Sequence, residues 1–196
     1  MNKKNEAEYE ELFSALKERV SSSRYQHSKR VFSAAVELAE IHNADLKKVK
    51  KASVLHDIAK ALTLEEIKKI IENSSWKIDS LEFSLSSVLH APAAAEIAKN
   101  EFAVDDYDIL EAIRYHTLGH PEMGLTAQII YAADFIEAGR DFNGLNKIRK
   151  EVRKDLVKGI YLISSSSIKF QINSDNAVHP YTNDLRNKYL LKRSDN

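Results

Sequence analysis

With 196 residues, 43% of them hydrophobic and 30% charged, the chain can bury one substantial core, and its composition is that of a folded protein, neither disordered nor membrane-embedded. Lys plus Arg and Asp plus Glu are both 29, and this net charge of zero argues against a partner such as a DNA or RNA duplex, which calls for a basic footprint. The absence of Cys excludes disulfides, thiolate nucleophiles and thiolate-held zinc or iron–sulfur centres, so any metal site must draw on carboxylates and the 7 His.

Only 5 Gly and 3 Pro disfavour a many-stranded β fold, and helical periodicity dominates instead. Leu12, Leu16 and Val20 form the stripe of a first helix. A second, over 25–42, puts His27, Val31, Ala34, Ala35 and Leu38 on one face. The pattern over 45–61 gathers Ala52, Leu55, His56 and Ala59, and Lys47, Lys48, Lys50 and Lys51 form a solvated face. Thr63 with Glu65 and Glu66 reads as the cap of a short helix through Ile67, Ile70 and Ile71. Residues 79–90 read as loop leading into helix, and Pro92 suits the first turn of a helix over 93–102. A helix over 106–116 is broken by Gly119 and Pro121, one over 124–137 is closed by Gly139, and a long one covers 145–163. The serine run at Ser164 reads as a linker, and the polar tail from Ile168 onward is left unassigned.

These elements predict an all-α helical bundle forming a single domain over 1–196, with its core at about 11–187. The charged first ten residues lead into no signal-like apolar run, and nothing approaches the roughly 18 apolar residues of a spanning helix. A cytoplasmic, reduced setting without a membrane partner is the simplest expectation.

The histidines carry the chemical information. His27, His56 with Asp57, His90, His116 and Asp134 fall in apolar surroundings on five helical segments. Each alone is more often a hydrogen-bonded core or surface residue than a ligand. A carboxylate on an apolar face is costly without a compensating cation or hydrogen bonds, and this applies to both Asp57 and Asp134. Converging in a bundle, the set would suit iron, manganese, zinc or a similar divalent ion. Lys60 follows His56 by four residues and can reach over the same site, although the same position suits a helix-end lysine equally well. Arg140, just after Gly139, offers a planar fork suited to phosphate.

The wording around these residues resembles a known family. Arg24-Tyr25-Gln26-His27-Ser28, Leu55-His56-Asp57-Ile58-Ala59-Lys60, Leu89-His90-Ala91-Pro92, Ile113-Arg114-Tyr115-His116-Thr117, Tyr131 to Phe142 and His179-Pro180-Tyr181-Thr182 together resemble the bacterial YqeK family of HD-domain metal-dependent phosphohydrolases. The resemblance covers nearly the whole chain. It implies symmetrical cleavage of diadenosine tetraphosphate (Ap4A) to two ADP, through a metal-activated water attacking a central phosphoryl group. It also implies that His27, His56, Asp57 and Asp134 hold the metal, with iron as first choice and manganese or another divalent ion as substitute.

By the same resemblance, His90 and His116 face the nucleotide phosphates or hold a second metal, and join Asp57 as catalytic residues. Lys60, Arg140, His179 and Thr182 are the implied substrate contacts, and the partners are dinucleoside polyphosphates and ADP-like nucleotides. A homodimer is compatible with the sequence. His120 departs from the pattern, standing where a basic Arg or Lys is expected, and His42 matches no motif and reads as a helix-end surface residue. Tyr25 and Tyr115 are expected beside the site and Tyr131 in the core. The alternatives are a phosphohydrolase of the same superfamily acting on another nucleotide, a non-catalytic nucleotide sensor, and, last, a purely structural bundle.

Overall fold

Helix starts in this chain are set by short polar side chains. Ser21, Asp45, Asp79, Asp106 and Asp155 each accept a hydrogen bond from a backbone N–H two or three residues on, satisfying donors that a helix start leaves open. Thr63 and Glu66 form a reciprocal capping box. A computed structural model describes residues 3–192, and the ends of the domain expected over 1–196 lie outside the described residues. The elements are α1 (Lys3–Arg19), α2 (Ser22–Ile41), α3 (Leu46–Leu55), α4 (Leu64–Ile71), α5 (Ser80–Ser84), α6 (His90–Glu101), α7 (Tyr107–Tyr115), α8 (Leu125–Ile136), α9 (Leu145–Lys154), α10 (Leu156–Asn173) and α11 (Pro180–Lys192). No strand occurs among the described residues, in agreement with the all-α expectation.

Helices α2, α3, α7 and α8 pack on one another at the centre. Helix α1 lies against α2 and α3, α6 packs on α4 and α7, and α10 is flanked by α8, α9 and α11. Small side chains make the central approach possible: Ala35, Ala52, Ala112, Ala127, Ala132 and Ala133 are all fully buried. Leu38, Leu55, Ile113 and Ile129 fill the remaining space, each contributing about 1.5–3 kcal/mol by leaving water. None of the described helices is long and apolar enough to cross a membrane.

Four sequence expectations need correction. The serines at 164–167 are not a linker. They lie inside α10, where the buried Ser164 hydroxyl donates to the Ile160 and Tyr161 carbonyls and so needs no water. The long helix over 145–163 is two helices broken at Asp155, whose extended backbone ends α9 and whose side chain caps α10. A side chain at Gly159 would bring its Cβ within 2.7 Å of the Val152 backbone, so glycine permits the close α9–α10 contact. The helix expected over 45–61 ends at Leu55, and 56–61 form tighter turns with bonds such as Lys60 N–H to the Asp57 carbonyl. His90 opens α6 rather than closing the preceding segment, which leaves Pro92 in that helix's first turn.

Candidate metal centre

The functional side chains collect where central helices end. His27 lies in the second turn of α2, His56 and Asp57 in the turn after α3, His90 at the start of α6, His116 just past α7 and Asp134 in the last turn of α8. Three of the four imidazoles are oriented by one local device. The Nδ1–H of His56, His90 and His116 donates to the carbonyl three residues earlier, of Ser53, Ser87 and Ile113, at 2.8, 2.9 and 2.8 Å. A carbonyl can only accept, so Nδ1 carries a proton on each ring, and a ring that is neutral presents its Nε2 lone pair. His27 reaches the same state differently, with Nδ1 3.2 Å from Glu137 Oε1.

All four Nε2 atoms gather around Asp57. Its Oδ2 lies 3.6 Å from both His27 and His56, and its Oδ1 lies 3.2 Å from His90 and 3.5 Å from His116. Asp134 Oδ1 is 3.0 Å from His27 Nε2. The donors thus form two three-residue groups sharing Asp57, one with His27 and His56 and one with His90 and His116.

Burial pushes the His56 and His90 imidazoles down to about 4, so both are neutral at physiological pH. Burial opposes ionisation of Asp57 as well, but His56, His116 and His90 outweigh it and hold the carboxyl well below the usual range. Asp134 follows the same pattern, held low chiefly by the neighbouring His27 ring against the effect of burial.

These residues fit a divalent cation on a specific ground. The Nε2 atoms of His27 and His56 are buried and make no hydrogen bond, although both face carboxylate oxygen. An unsatisfied buried acceptor costs about 1–3 kcal/mol, which coordination would remove. Neutral imidazoles and ionised carboxylates are the protonation states that coordination needs.

Above the cluster opens a cavity of about 410 Å³ whose wall includes Arg24, Lys60, Thr117, Glu137 and Arg140. Lys60 Nζ lies 3.2 Å from both ring nitrogens of His90, and burial lowers its pKa. Arg140 Nη2 donates to Asp134 Oδ1 at 3.1 Å.

The chain matches the model of the HD domain family over residues 24–139. It belongs to that family. Within it, the chain is 34% identical to the Halalkalibacterium halodurans protein named "Bis(5'-nucleosyl)-tetraphosphatase, symmetrical", over 91% of this chain and 95% of that one. It is 38% identical to the Staphylococcus aureus protein of the same name, over 88% of this chain and 90% of that one. A solved structure from Clostridium acetobutylicum, titled a predicted HD superfamily hydrolase involved in NAD metabolism, superposes with a TM-score of 0.89 at 36% identity, covering 94% of this chain and 97% of its own.

Against this HD-domain frame, all six residues singled out as ligands come together, and Lys60 and Arg140 stand on the same cavity. His179 and Thr182 do not join them. They line a neighbouring cavity of about 220 Å³ that shares Thr117 with the first. There His179 pairs with Asp79 at 3.1 Å, and Thr182 donates to the Leu118 carbonyl. His120 is not on either cavity wall. It stacks on Tyr115 at 4.6 Å, so its neutral ring does not take the place of a phosphate-binding base. Tyr25 packs edge-on against Phe13 rather than lining the site, while Tyr131 is buried as expected. His42 is half-buried, and its Nε2 bonds the Val152 carbonyl at 2.7 Å, joining α2 to α9. In the lysine run, Lys48 pairs with Asp106 and Asp108, and Lys51 with Glu8, at the protein surface.

Sequence reasoning missed Glu137 and Arg149. Glu137 is 2% exposed, accepts from the Arg30 Nε–H and the Gly139 N–H, and fixes the His27 tautomer. Arg149 on α9 donates to the carbonyls of Ile136, Glu137 and Arg140, clasping the turn that carries Glu137 and Arg140. Outer partners of this kind tune ligand affinity. Glu137→Gln should therefore weaken Mn(II) binding, measured by equilibrium titration, by roughly 10–100-fold with little change in helix content.

Proposed function

We propose that this chain hydrolyses Ap4A and related dinucleoside tetraphosphates symmetrically to two ADP, using a divalent cation held by His27, His56, Asp57 and Asp134. Iron(II) is our first assignment, with manganese(II) able to replace it, since the mixed imidazole and carboxylate donors suit both. The single observation that supports the reading best is the arrangement of Asp57 between two imidazole pairs, at the floor of a cavity walled by Lys60 and Arg140.

A bound divalent cation supplies Lewis acidity, which acidifies a water and offsets charge on phosphoryl oxygen. The protein's own work is positioning and electrostatics. Lys60 and Arg140 donate to phosphate oxygens. Asp57, held ionised, orients the water but is too weak a base to keep its proton. That proton passes to Nε2 of His90 or His116, and the nearby polyphosphate anion favours the imidazolium so formed. The water oxygen bonds to a central phosphorus, the bridging P–O bond breaks, and the second ADP leaves with the bridging oxygen.

We assign His90 and His116 to the phosphate rather than to a second cation, because the Lys60 ammonium already stands beside His90. His179, Thr182 and the smaller cavity would take a nucleoside end. We place the reaction in the cytoplasm, a setting that suits a chain without Cys.

Product analysis tests the reading. Protein loaded with Fe(II) or Mn(II) should convert Ap4A to ADP alone. AMP plus ATP, or no turnover with either ion, would overturn it.

A further inference from the structure

Where α2 meets α9, away from the cation centre, the surface is basic. Lys29, Arg30 and Glu37 of α2 and Arg149 and Arg153 of α9 line a cavity of about 490 Å³. Four cations face one carboxylate there, on a chain whose net charge is zero. The fold fixes all three guanidinium groups. Arg30 Nε–H donates to Glu137, and a Cβ at Gly139 would come within 2.5 Å of Arg30 nitrogens, so glycine lets the guanidinium lie against the turn. Arg149 is spent on the Ile136, Glu137 and Arg140 carbonyls and contributes charge rather than donors. Arg153 grips Glu37 through Nε at 2.6 Å and Nη2 at 2.9 Å, and its Nη1 donates to the Arg149 carbonyl at 3.0 Å.

We propose that this cavity is a second anion site, which takes a phosphate dianion, either free inorganic phosphate or the terminal phosphate of a nucleotide. Glu37 already shows the wall receiving an anion, since the Arg153 fork holds its carboxyl below the usual range. One carboxylate leaves most of the positive charge unmet. Donors are left over as well. Among the described residues Arg30 engages only its Nε–H, and Lys29 Nζ makes no ion pair, lying 5.9 Å from the centre of the Tyr25 ring. A guanidinium has five N–H donors in a rigid fork, so the Arg30 Nη atoms can receive phosphate while Nε keeps Glu137. Side chains ordered in advance lose little conformational entropy on binding. The two cavities share no lining residue, and the Arg30–Glu137 hydrogen bond joins them, with Arg30 on this wall and Glu137 on that of the cation centre. The proposal does not depend on what the centre hydrolyses.

The test is a titration of the protein, loaded with diamagnetic Zn(II), with inorganic phosphate, followed in ¹H–¹⁵N spectra of the arginine Nε–H groups. Those of Arg30, Arg149 and Arg153 are held against exchange by their bonds to Glu137, Ile136 and Glu37. The Arg30 and Arg153 signals should shift together and saturate. Lys29→Gln should weaken that binding roughly fivefold or more, the loss of a charge-assisted donor. Glu37→Gln should tighten it about threefold, because a repelling charge is gone. Both residues lie outside the lining of the cation centre, so the two opposite shifts report on this cavity alone. ADP that moves the same signals and competes with phosphate would identify the ligand as a nucleotide's terminal phosphate, and ADP that does not would identify the free ion; each agrees with the proposal. Three results would overturn it: no shift at Arg30 and Arg153, shifts confined to Arg24 and Arg140, which donate to Asp57 and Asp134 in the other cavity, or shifts that neither substitution alters, the mark of an adventitious ion only.

Discussion

Asp57→Ala should lower Ap4A turnover on the order of 10³-fold or more, and should weaken Mn(II) binding by at least about 100-fold. Asp57 faces all four imidazole Nε2 atoms, and among the described residues no other carboxylate lies within 4.0 Å of the His90 or His116 ring nitrogens. Truncation removes a cation ligand and the water-orienting group together, while leaving the His56, His90 and His116 bonds to backbone carbonyls intact. The fold should therefore survive, and circular dichroism should show unchanged helix content. A variant that kept turnover within tenfold of wild type would rule out the metal-dependent mechanism.

The second large effect concerns stability. Arg114 on α7 is 1% exposed and its Nη2 donates to Glu82 Oε2 of α5 at 2.6 Å, with Glu82 itself fully buried. The same nitrogen donates to the Lys77 carbonyl at 3.2 Å, so one guanidinium ties the 77–84 segment to the central helices. Arg114→Met leaves the Glu82 charge without its partner in a dry interior, which should cost about 3–5 kcal/mol in urea unfolding. The paired change Arg114→Met with Glu82→Leu removes both charges and should recover most of that loss. If the single variant were within about 0.5 kcal/mol of wild type, the typical scatter of surface substitutions, the pair would not be holding the segment.

Much of the centre was legible in the sequence because a buried polar residue is conspicuous in an apolar helical pattern. His56 and Asp57 among Val54, Leu55 and Ile58, or Asp134 among Ala132, Ala133 and Phe135, stand out by type and spacing alone. Their orientation was not legible. The Nδ1 bonds to Ser53, Ser87 and Ile113 depend on where helices begin and end, and the expected helix over 45–61 ends before His56. Long-range partners were hidden for a related reason. Glu137 comes 110 residues after His27 and Arg24 comes 33 before Asp57, and periodicity along one segment carries no signal for such pairs.

Serine misled in the opposite direction. Its affinity for turns made 164–167 look like a linker, whereas burial against neighbouring helices and hydroxyl bonds to carbonyls one turn back keep it helical. The break at Asp155 was readable in principle, as a capping residue ahead of an apolar run. Arg114 shows the limit most plainly, since an arginine among Ile109, Leu110 and Ile113 identifies neither its partner nor its side of the helix until Glu82 is placed.

Hydrolysis of Ap4A in ¹⁸O-water by the Fe(II)- or Mn(II)-loaded protein, with the products resolved by mass, tests the central claim most directly. Attack on a central phosphorus requires ADP as the only product, with one labelled oxygen on the terminal phosphate of half the ADP formed. Label in AMP or ATP, or an ADP pool with no labelled fraction at all, would contradict it.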